Sequence, residues 1–500
     1  MTTEVERLPY GVGRLTRGWV IMIVILMIII GIGAYAYYQQ LTFGEVVTGM
    51  RDVGTMAGAP WGLYIAFVVY FVGISFAGVT VAALIRLLNL ERLKPVARIA
   101  EVLTVISLLL GSFCIIADVG QPVRAIVNLF RFARPQSPFF GTFTLVISGY
   151  LFGSLVYLYL DSRKDAALMA QKPGPLQGLY RLLAAGYKDS DAERERRKQT
   201  SFWLAIAILP LLVVAHSTLG FVFGLQVGRP GWFSGLQAPG FVVLAGVSGL
   251  GMLILITAII RKALGLERRL DEGIFKLLGN FLMLLTIVYL YFMIVDLLTN
   301  TYTADQHEAG ITAALLTGKY ALIYWGVVAA LTMAVHILVL QYLPIPEKLS
   351  APSYWPRYVQ ATGVTVLLIG FLVLSQNFDF GRQIGIQLSF QATDILTALL
   401  IFLGIFFVLA LVPLFRDKAI NSAVFSGILV NLAAIGKRYL IVVPSQTHGT
   451  LMPYSTGSYS PTWVEYSIIL GLFALGALLF ILFMKLFPII EISEKFTGGD

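Results

Sequence analysis

The sequence predicts an all-α polytopic membrane protein of about twelve transmembrane helices, and three observations carry that expectation. Of 500 residues, 58% are hydrophobic and 13% charged, with a mean hydropathy of +0.82. Apolar runs of ~20 residues, the length that crosses a hydrocarbon core, recur along the whole chain. The Lys and Arg residues, 36 in all, concentrate in alternate connections, which by the positive-inside rule gives an N-in, C-in orientation in the cell membrane. No stretch remains for a soluble domain of useful size, and no nucleic-acid partner is expected.

Taken in order, the first run, Trp19 to Tyr38, is too long for a signal-peptide core and precedes no small-residue cleavage motif, so it is read as a retained span, 18–38. Spans 61–86 and 96–118 form a hairpin through the basic turn Arg86 to Arg98, and neither shows an internal break. Span 138–160 leads into the one long cytoplasmic connection, 161–200, which carries nine Lys/Arg. Within it, the stretch from Leu176 to Leu183 has the apolar spacing of a short helix lying on headgroups, or is a solvated linker whose charge sets topology. Span 201–222 completes a first helix bundle, 18–222. Spans 240–260, 276–299, 319–342, 359–377, 391–414 and 419–442 make a second bundle with inserted helices, and the count drops to ten if the 359–414 pair does not cross. Span 462–485 is the last. The outer connections Gly224 to Pro239 and Val443 to Pro461 are rich in Gly, Pro, aromatic and amide residues, which suits either partner docking or helix capping.

A weak repeat relates the halves as two four-helix bundles. Ala59-Pro60 matches Ala238-Pro239, Leu90-Glu91-Arg92 matches Leu266-Glu267-Arg268, and Asp118 matches Asp296, all at similar offsets.

The residues able to carry chemistry gather at the outer ends of the early spans. Trp61, Tyr64, Asp118 and Arg124 fall at one bilayer surface, and an ionisable pair beside aromatics at the rim of a bundle points to a site. His216, near the outer end of its span, is placed at the same depth, either as a packing residue or as a group that exchanges protons with a bound carbonyl. Along span 96–118 the small and polar residues Glu101, Thr104, Ser107, Gly111, Cys114 and Asp118 share one face. That face lines a proton path or lets neighbouring helices approach closely. Asp296, Lys437, Arg438 and Glu465 lie at similar outer depth and are expected to form a structural salt-bridge network. One cysteine and four histidines at different depths leave no ligand set for haem or an iron–sulfur cluster, and no metal motif, Walker A loop or dinucleotide fingerprint is present.

The stretches Val47-Thr-Gly-Met, Trp61-Gly-Leu-Tyr-Ile, Asp118-Val-Gly-Gln-Pro-Val-Arg, Ala215-His-Ser-Thr and Tyr459-Ser-Pro-Thr-Trp-Val-Glu465 resemble the NrfD/polysulfide reductase family of integral membrane subunits, in its longer hydrogenase-2-like and sulfite-reductase-associated branch. The resemblance covers spans one to eight and the last two. It implies a chain without a redox centre of its own, which binds menaquinone or another quinone near the outer face of the first bundle. It also implies an iron–sulfur subunit docked above that site and a further catalytic or cytochrome subunit. The family's motif acid falls on Asp118, its bundle acid on Glu101 and its histidine on His216, with Trp61, Tyr64 and Arg124 around the ring. Gln121 stands where the family has arginine. The function expected is that of the quinone-reactive anchor of a respiratory oxidoreductase, with proton translocation a further possibility of the family. The rivals are a secondary transporter, which also has twelve spans and a repeat, and a structural anchor whose partner binds the quinone. The purified chain should show no haem band in a reduced-minus-oxidised spectrum, and a band there would contradict the assignment.

Overall fold

The computed structural model describes residues 11–53, 60–132, 134, 136–137, 143–188, 190–302, 306–344, 346–377, 391–448 and 457–492. Among these the chain is helical and has no strand. A segment in lipid must satisfy its own backbone groups, and a helix does so within itself. Among the described residues, eleven helical segments are long and apolar enough to cross a membrane.

In chain order the helices are α1 (Arg17–Phe43), α2 (Leu63–Ile74), α3 (Phe76–Leu87), α4 (Lys94–Asp118), α5 (Pro122–Phe132), α6 (Phe143–Met169), α7 (Gln177–Ala184), α8 (Asp191–Gly224) and α9 (Gln237–Ala263). They continue as α10 (Glu272–Tyr302), α11 (Gln306–Leu316), α12 (Ala321–Val339), α13 (Glu347–Ser350), α14 (Trp355–Asn377), α15 (Gln391–Phe415), α16 (Ala419–Gln446) and α17 (Trp463–Leu486). One group of packed helices comprises α2, α3, α4, α6 and α8, and a second comprises α9, α10, α12 and α16. The groups meet where α9 lies along α2, α3 and α8, so one buried core runs through both. α1 and α17 pack as a pair on the outside of α4, drawn together where Gly33 faces Gly471. A Cβ on Gly33 would lie 2.9 Å from the Ser467 carbonyl oxygen. α14 and α15 form a hairpin held to α12 and α16 through α15. The expected span 359–377 is helical as α14, although it is not among the eleven. Ala59, the end of the chain from 493, and residues 449–456 of the last outer connection lie outside the described residues.

Two expectations are corrected. The long connection is shorter than 161–200, because α6 runs to Met169 and α8 begins at Asp191 behind a Ser190/Glu193 capping box; Leu176 to Leu183 is helical, as α7. Span 61–86 is broken: α2 ends at Ile74 and α3 starts at Phe76. Ser75, fully buried, turns its hydroxyl to the Val72 carbonyl at 2.6 Å. The polar groups the break releases are met by other helices. The Ser75 carbonyl accepts from the Tyr150 hydroxyl and the Thr104 hydroxyl at 2.8 Å each. The Gly78 N–H donates to Thr104 Oγ1 at 3.0 Å, and His216 Nε2 lies 2.9 Å from the Val72 carbonyl. Gly249 of α9 fits against the break, where a Cβ would lie 3.0 Å from the Ala77 nitrogen. No apolar pattern announces this break, since its partners come from α4, α6 and α8.

The end remote from Asp118 is tied by buried charge. The Arg98 guanidinium, 2% exposed, pairs with Asp165 of α6, itself fully buried, and with Asp161 at 3.0 Å, and it donates to the Pro488 carbonyl at 3.1 Å. Arg197 of α8 reaches Glu491 at 3.0 Å, and the Ile492 N–H reaches Asp165 at 3.3 Å, so the segment after α17 is fastened under the first group. At the same end Arg92 pairs with Asp271 at 2.6 Å, joining the α3–α4 and α9–α10 turns that the repeat sets in correspondence, and this pair holds the Asp271 carboxyl below its ordinary range. Because both partners are largely exposed, it contributes little. The Arg98 pair is different: Arg98→Met leaves Asp165 buried and uncompensated, at a cost of about 3–5 kcal/mol. The variant should melt well below the parent in detergent, and an unchanged melting temperature would contradict this account.

Candidate functional site

The site at the Asp118 end is built where α1, α2, α4 and α17 converge. Gln40, in the last turn of α1 and 3% exposed, is its hub. Its Nε2 lies 2.8 Å from the Ala117 carbonyl, one residue before Asp118, and 3.0 Å from Glu45 Oε1. Its Oε1 accepts from the Tyr64 hydroxyl at 2.8 Å. Tyr64 is fully buried on the first turn of α2 and lies in the combined field of Glu465, Glu45 and Asp118.

Glu45 follows α1, after Gly44, whose φ of +78° turns the chain back over the end of α4. That is a conformation glycine takes without penalty. The Glu45 carboxylate lies against the turn after Asp118, with Oε1 3.2 Å from where a Cβ on Gly120 would be. Burial raises the Glu45 carboxyl above its ordinary value, hydrogen bonds from Gln40 and Thr48 oppose that, and the charge of Glu465 adds to it.

Glu465 starts from a local motif. Thr462 and Glu465 form a capping box at the head of α17, and Glu465 Oε2 accepts from the Thr462 N–H at 2.9 Å. The same oxygen accepts from the Gly49 N–H at 2.7 Å, while Oε1 accepts from the Tyr459 hydroxyl. Tyr459 in turn accepts from the Leu63 N–H at 2.6 Å, an otherwise orphaned donor at the head of α2. Burial, then the neighbouring carboxylate, keep the Tyr459 phenol protonated well above its ordinary range. Gly49 and Gly62 are required here, because a Cβ at either would overlap the Ser460 carbonyl or the Tyr459 ring. Three donors thus hold Glu465, whereas Asp118 is left short: its Oδ1 is buried with no hydrogen-bond partner.

Of the residues expected from sequence, Asp118 and Tyr64 are brought together. Trp61 turns the other way, its ring stacked on Trp232 at 5.7 Å and edge-on to Phe223 at 5.8 Å, its backbone paired with the Gln446 side chain. Arg124 is exposed on α5, and no ion pair joins it to Asp118 among the described residues. His216 is not at the depth of Asp118. α8 runs eight residues past it to Gly224, so the ring lies about 12 Å below that end, between the Leu212 and Val72 carbonyls at 2.8 and 2.9 Å. Glu101 lies deeper still, on the wall of a cavity of about 20 Å³ shared with Gly78, Thr104, Ser154 and Tyr157. Between Glu101 and Asp118 the shared face of α4 is packed: Thr104 is bonded to the break, and a Cβ on Gly111 would lie 3.1 Å from Val72.

The expected second network is not closed by ion pairs among the described residues. Glu465 belongs to the Tyr64 site, because α17 packs with α1 rather than with α10 or α16. No ion pair joins Asp296 to Lys437 or Arg438 among the described residues. Arg438, 2% exposed, instead stacks on the Phe241 ring at 4.3 Å. Sequence reasoning missed Gln40 and Glu45, for which no motif speaks, and misassigned Glu465, whose Thr462-x-x-Glu465 capping box was legible.

The family model for polysulphide reductase, NrfD, matches residues 52–376. A putative dimethyl sulfoxide reductase membrane subunit of Halobacterium salinarum is 29% identical over 98% of this chain and 96% of its own length. A selenate reductase subunit of Mesobacillus selenatarsenatis is 26% identical over 60% of this chain and 70% of its own. The Hdr-like menaquinol oxidoreductase integral membrane subunit of Archaeoglobus fulgidus is 24% identical over 58% and 62% respectively.

Because Glu45 holds its proton more tightly folded than unfolded, the folded chain binds more protons from about pH 4.5 up to the raised value, and stability falls as pH rises through that window. Melting temperature should therefore decline across it in the parent and change less in Glu45→Gln. Equal slopes in the two proteins would contradict the placement of Glu45.

Proposed function

This chain belongs to the NrfD polysulphide reductase family, and we propose that it is the quinone-reactive membrane subunit of a respiratory oxidoreductase, exchanging electrons between the membrane quinone pool and an iron–sulfur partner. The single observation that carries this reading is the orphaned, buried Asp118 Oδ1 beside Tyr64, Gln40 and Glu45. A buried acceptor without a donor costs free energy unless something fills the place. The hydroxyl of a quinol fits, being a donor at the depth where an amphipathic ring rests. The names of the relatives support the same class, one of them a menaquinol oxidoreductase. The quinone we favour is accordingly menaquinone.

A quinol supplies two electrons and two protons on oxidation to the quinone, and the quinone takes up both on reduction. Asp118 would take the two hydroxyl protons in succession, handing on the first before the second leaves, while both electrons pass to the iron–sulfur partner; in the opposite direction it would return them, as a positioned base or acid. Glu45, linked to Tyr64 through Gln40, would accept the proton next and pass it to the surface at the α1–α2 connection. Glu465, saturated with donors, would hold its charge and fix Tyr459 and Gly49 around the site. His216 fastens the break in the α2–α3 span and Trp61 packs the α8–α9 connection, so neither is given proton chemistry. In the N-in, C-in orientation the site faces the outer side of the cell membrane, where the iron–sulfur subunit and a further catalytic subunit would dock.

A broken span near mid-depth is also how secondary transporters build a substrate site. Here the released groups are bonded to Thr104, Tyr150 and His216, which removes them from any such role.

Asp118→Asn keeps the shape and removes the titratable proton. Quinol-linked turnover of the purified complex should fall by about 10²–10⁴-fold with assembly intact. Undiminished turnover in the assembled variant would move the site elsewhere.

A further inference from the structure

Helix α5 has no role in the site just described, yet it begins only four residues after Asp118 and is eleven residues long. Val123, Ile126 and Val127 fall within about 100° of arc on it, and Arg124, Asn128 and Arg131 within about 60° on a separate strip. The apolar set is bare: Val123 is 75% exposed, Ile126 53% and Val127 69%. No other helix packs closely along α5 among the described residues. Its depth is set by α4, whose apolar run ends at Asp118, so α5 lies where hydrocarbon gives way to headgroups. The charge is one-sided as well. From Val119 to Leu160 the sequence contains Arg124, Arg131 and Arg134 and no Asp or Glu.

We propose that α5 is an interfacial helix that lies in the headgroup layer at the Asp118 end and binds anionic phospholipid through its arginines. The occupant follows from having both features on one short helix. A headgroup layer offers acyl chain to Val123, Ile126 and Val127 and phosphate to the arginine strip at a single depth. A protein that covered the apolar face would not by that contact supply an anion to the strip. An exposed apolar residue continues below it, Phe113 on α4, five residues before Asp118, as it would on a surface entering the acyl region. The lipid contact does not depend on the quinone reading.

The test uses the full chain in nanodiscs, with spin labels at Val127→Cys and at Asn128→Cys. Cys114, the one native thiol, is buried, and the parent protein serves as the labelling blank. At position 127 collisions with dissolved oxygen should dominate and a water-soluble nickel chelate should be excluded, while at 128 the chelate should have access. In discs mixing phosphatidylcholine with phosphatidylglycerol, the anionic lipid that copurifies should be enriched by about fivefold per arginine, and Arg124→Gln with Arg131→Gln should abolish the enrichment. Equal chelate access at 127 and 128 would overturn the proposal. So would protection of 127 that appears only when partner subunits are added, which would assign the face to protein. Enrichment unaffected by the arginine substitutions would overturn it too. Because the four positions are exposed or half-buried, each variant should melt as the parent does, which keeps every outcome readable.

Discussion

A carboxylate taken out of water must be met by donors or leave part of itself unsatisfied, and that constraint organises the Asp118 end of this protein. Glu465 is met in full, by Thr462 and Gly49 N–H groups and by Tyr459. In being met, it draws three separate parts of the chain together: the turn after α1, the head of α2 through the Tyr459 bond to Leu63, and the head of α17. That anchor adds to the bonds by which Gln40 holds itself and Glu45 over the end of α4. Asp118, a few residues away in space from the same anchor, has an oxygen that the protein does not serve. On the proposed reading, that contrast separates a structural acid from a reactive one.

The same principle accounts for the middle of the first helix group. A span that breaks inside lipid needs foreign partners for its freed backbone groups, and here Thr104, Tyr150 and His216 supply them. His216 is thereby committed to the scaffold. On either side of the break, α2 carries Tyr64 and Leu63 to the Gln40 and Tyr459 side of the site, α3 packs on α8, and both lie along α9.

The amount of this that the sequence made legible follows from what hydropathy measures. Apolar runs report depth, so most of the spans, the placing of Asp118 and Tyr64 at one end and the low polarity of the whole were readable. Depth says nothing about direction around a helix or about which helices are neighbours. Glu465 was therefore grouped with Asp296 and Lys437 at equal depth, although α17 packs against α1. His216 was set too near the surface because a position six residues inside the span read as 201–222 counted as its outer end, whereas in the helix those turns place the ring well below it. The Ser75 break was hidden because every group that stabilises it lies on another helix. Gln40 and Glu45 were invisible for a related reason: a polar pair at the end of a span looks like any loop until Ala117 and Tyr64 are seen to bond to it.

The central claim is the proposal that a quinone ring binds beside Asp118, Tyr64 and Glu45. The most direct measurement is photolabelling of the assembled complex in membranes with an azido-quinone, followed by mass spectrometric mapping of the modified peptides. The account predicts label on the α1–α2 connection near Glu45 and on the ends of α2 and α4 near Tyr64 and Asp118, displaced by excess unlabelled quinone. Displaceable label confined to the second helix group, around Asp296 and Lys437, would contradict it.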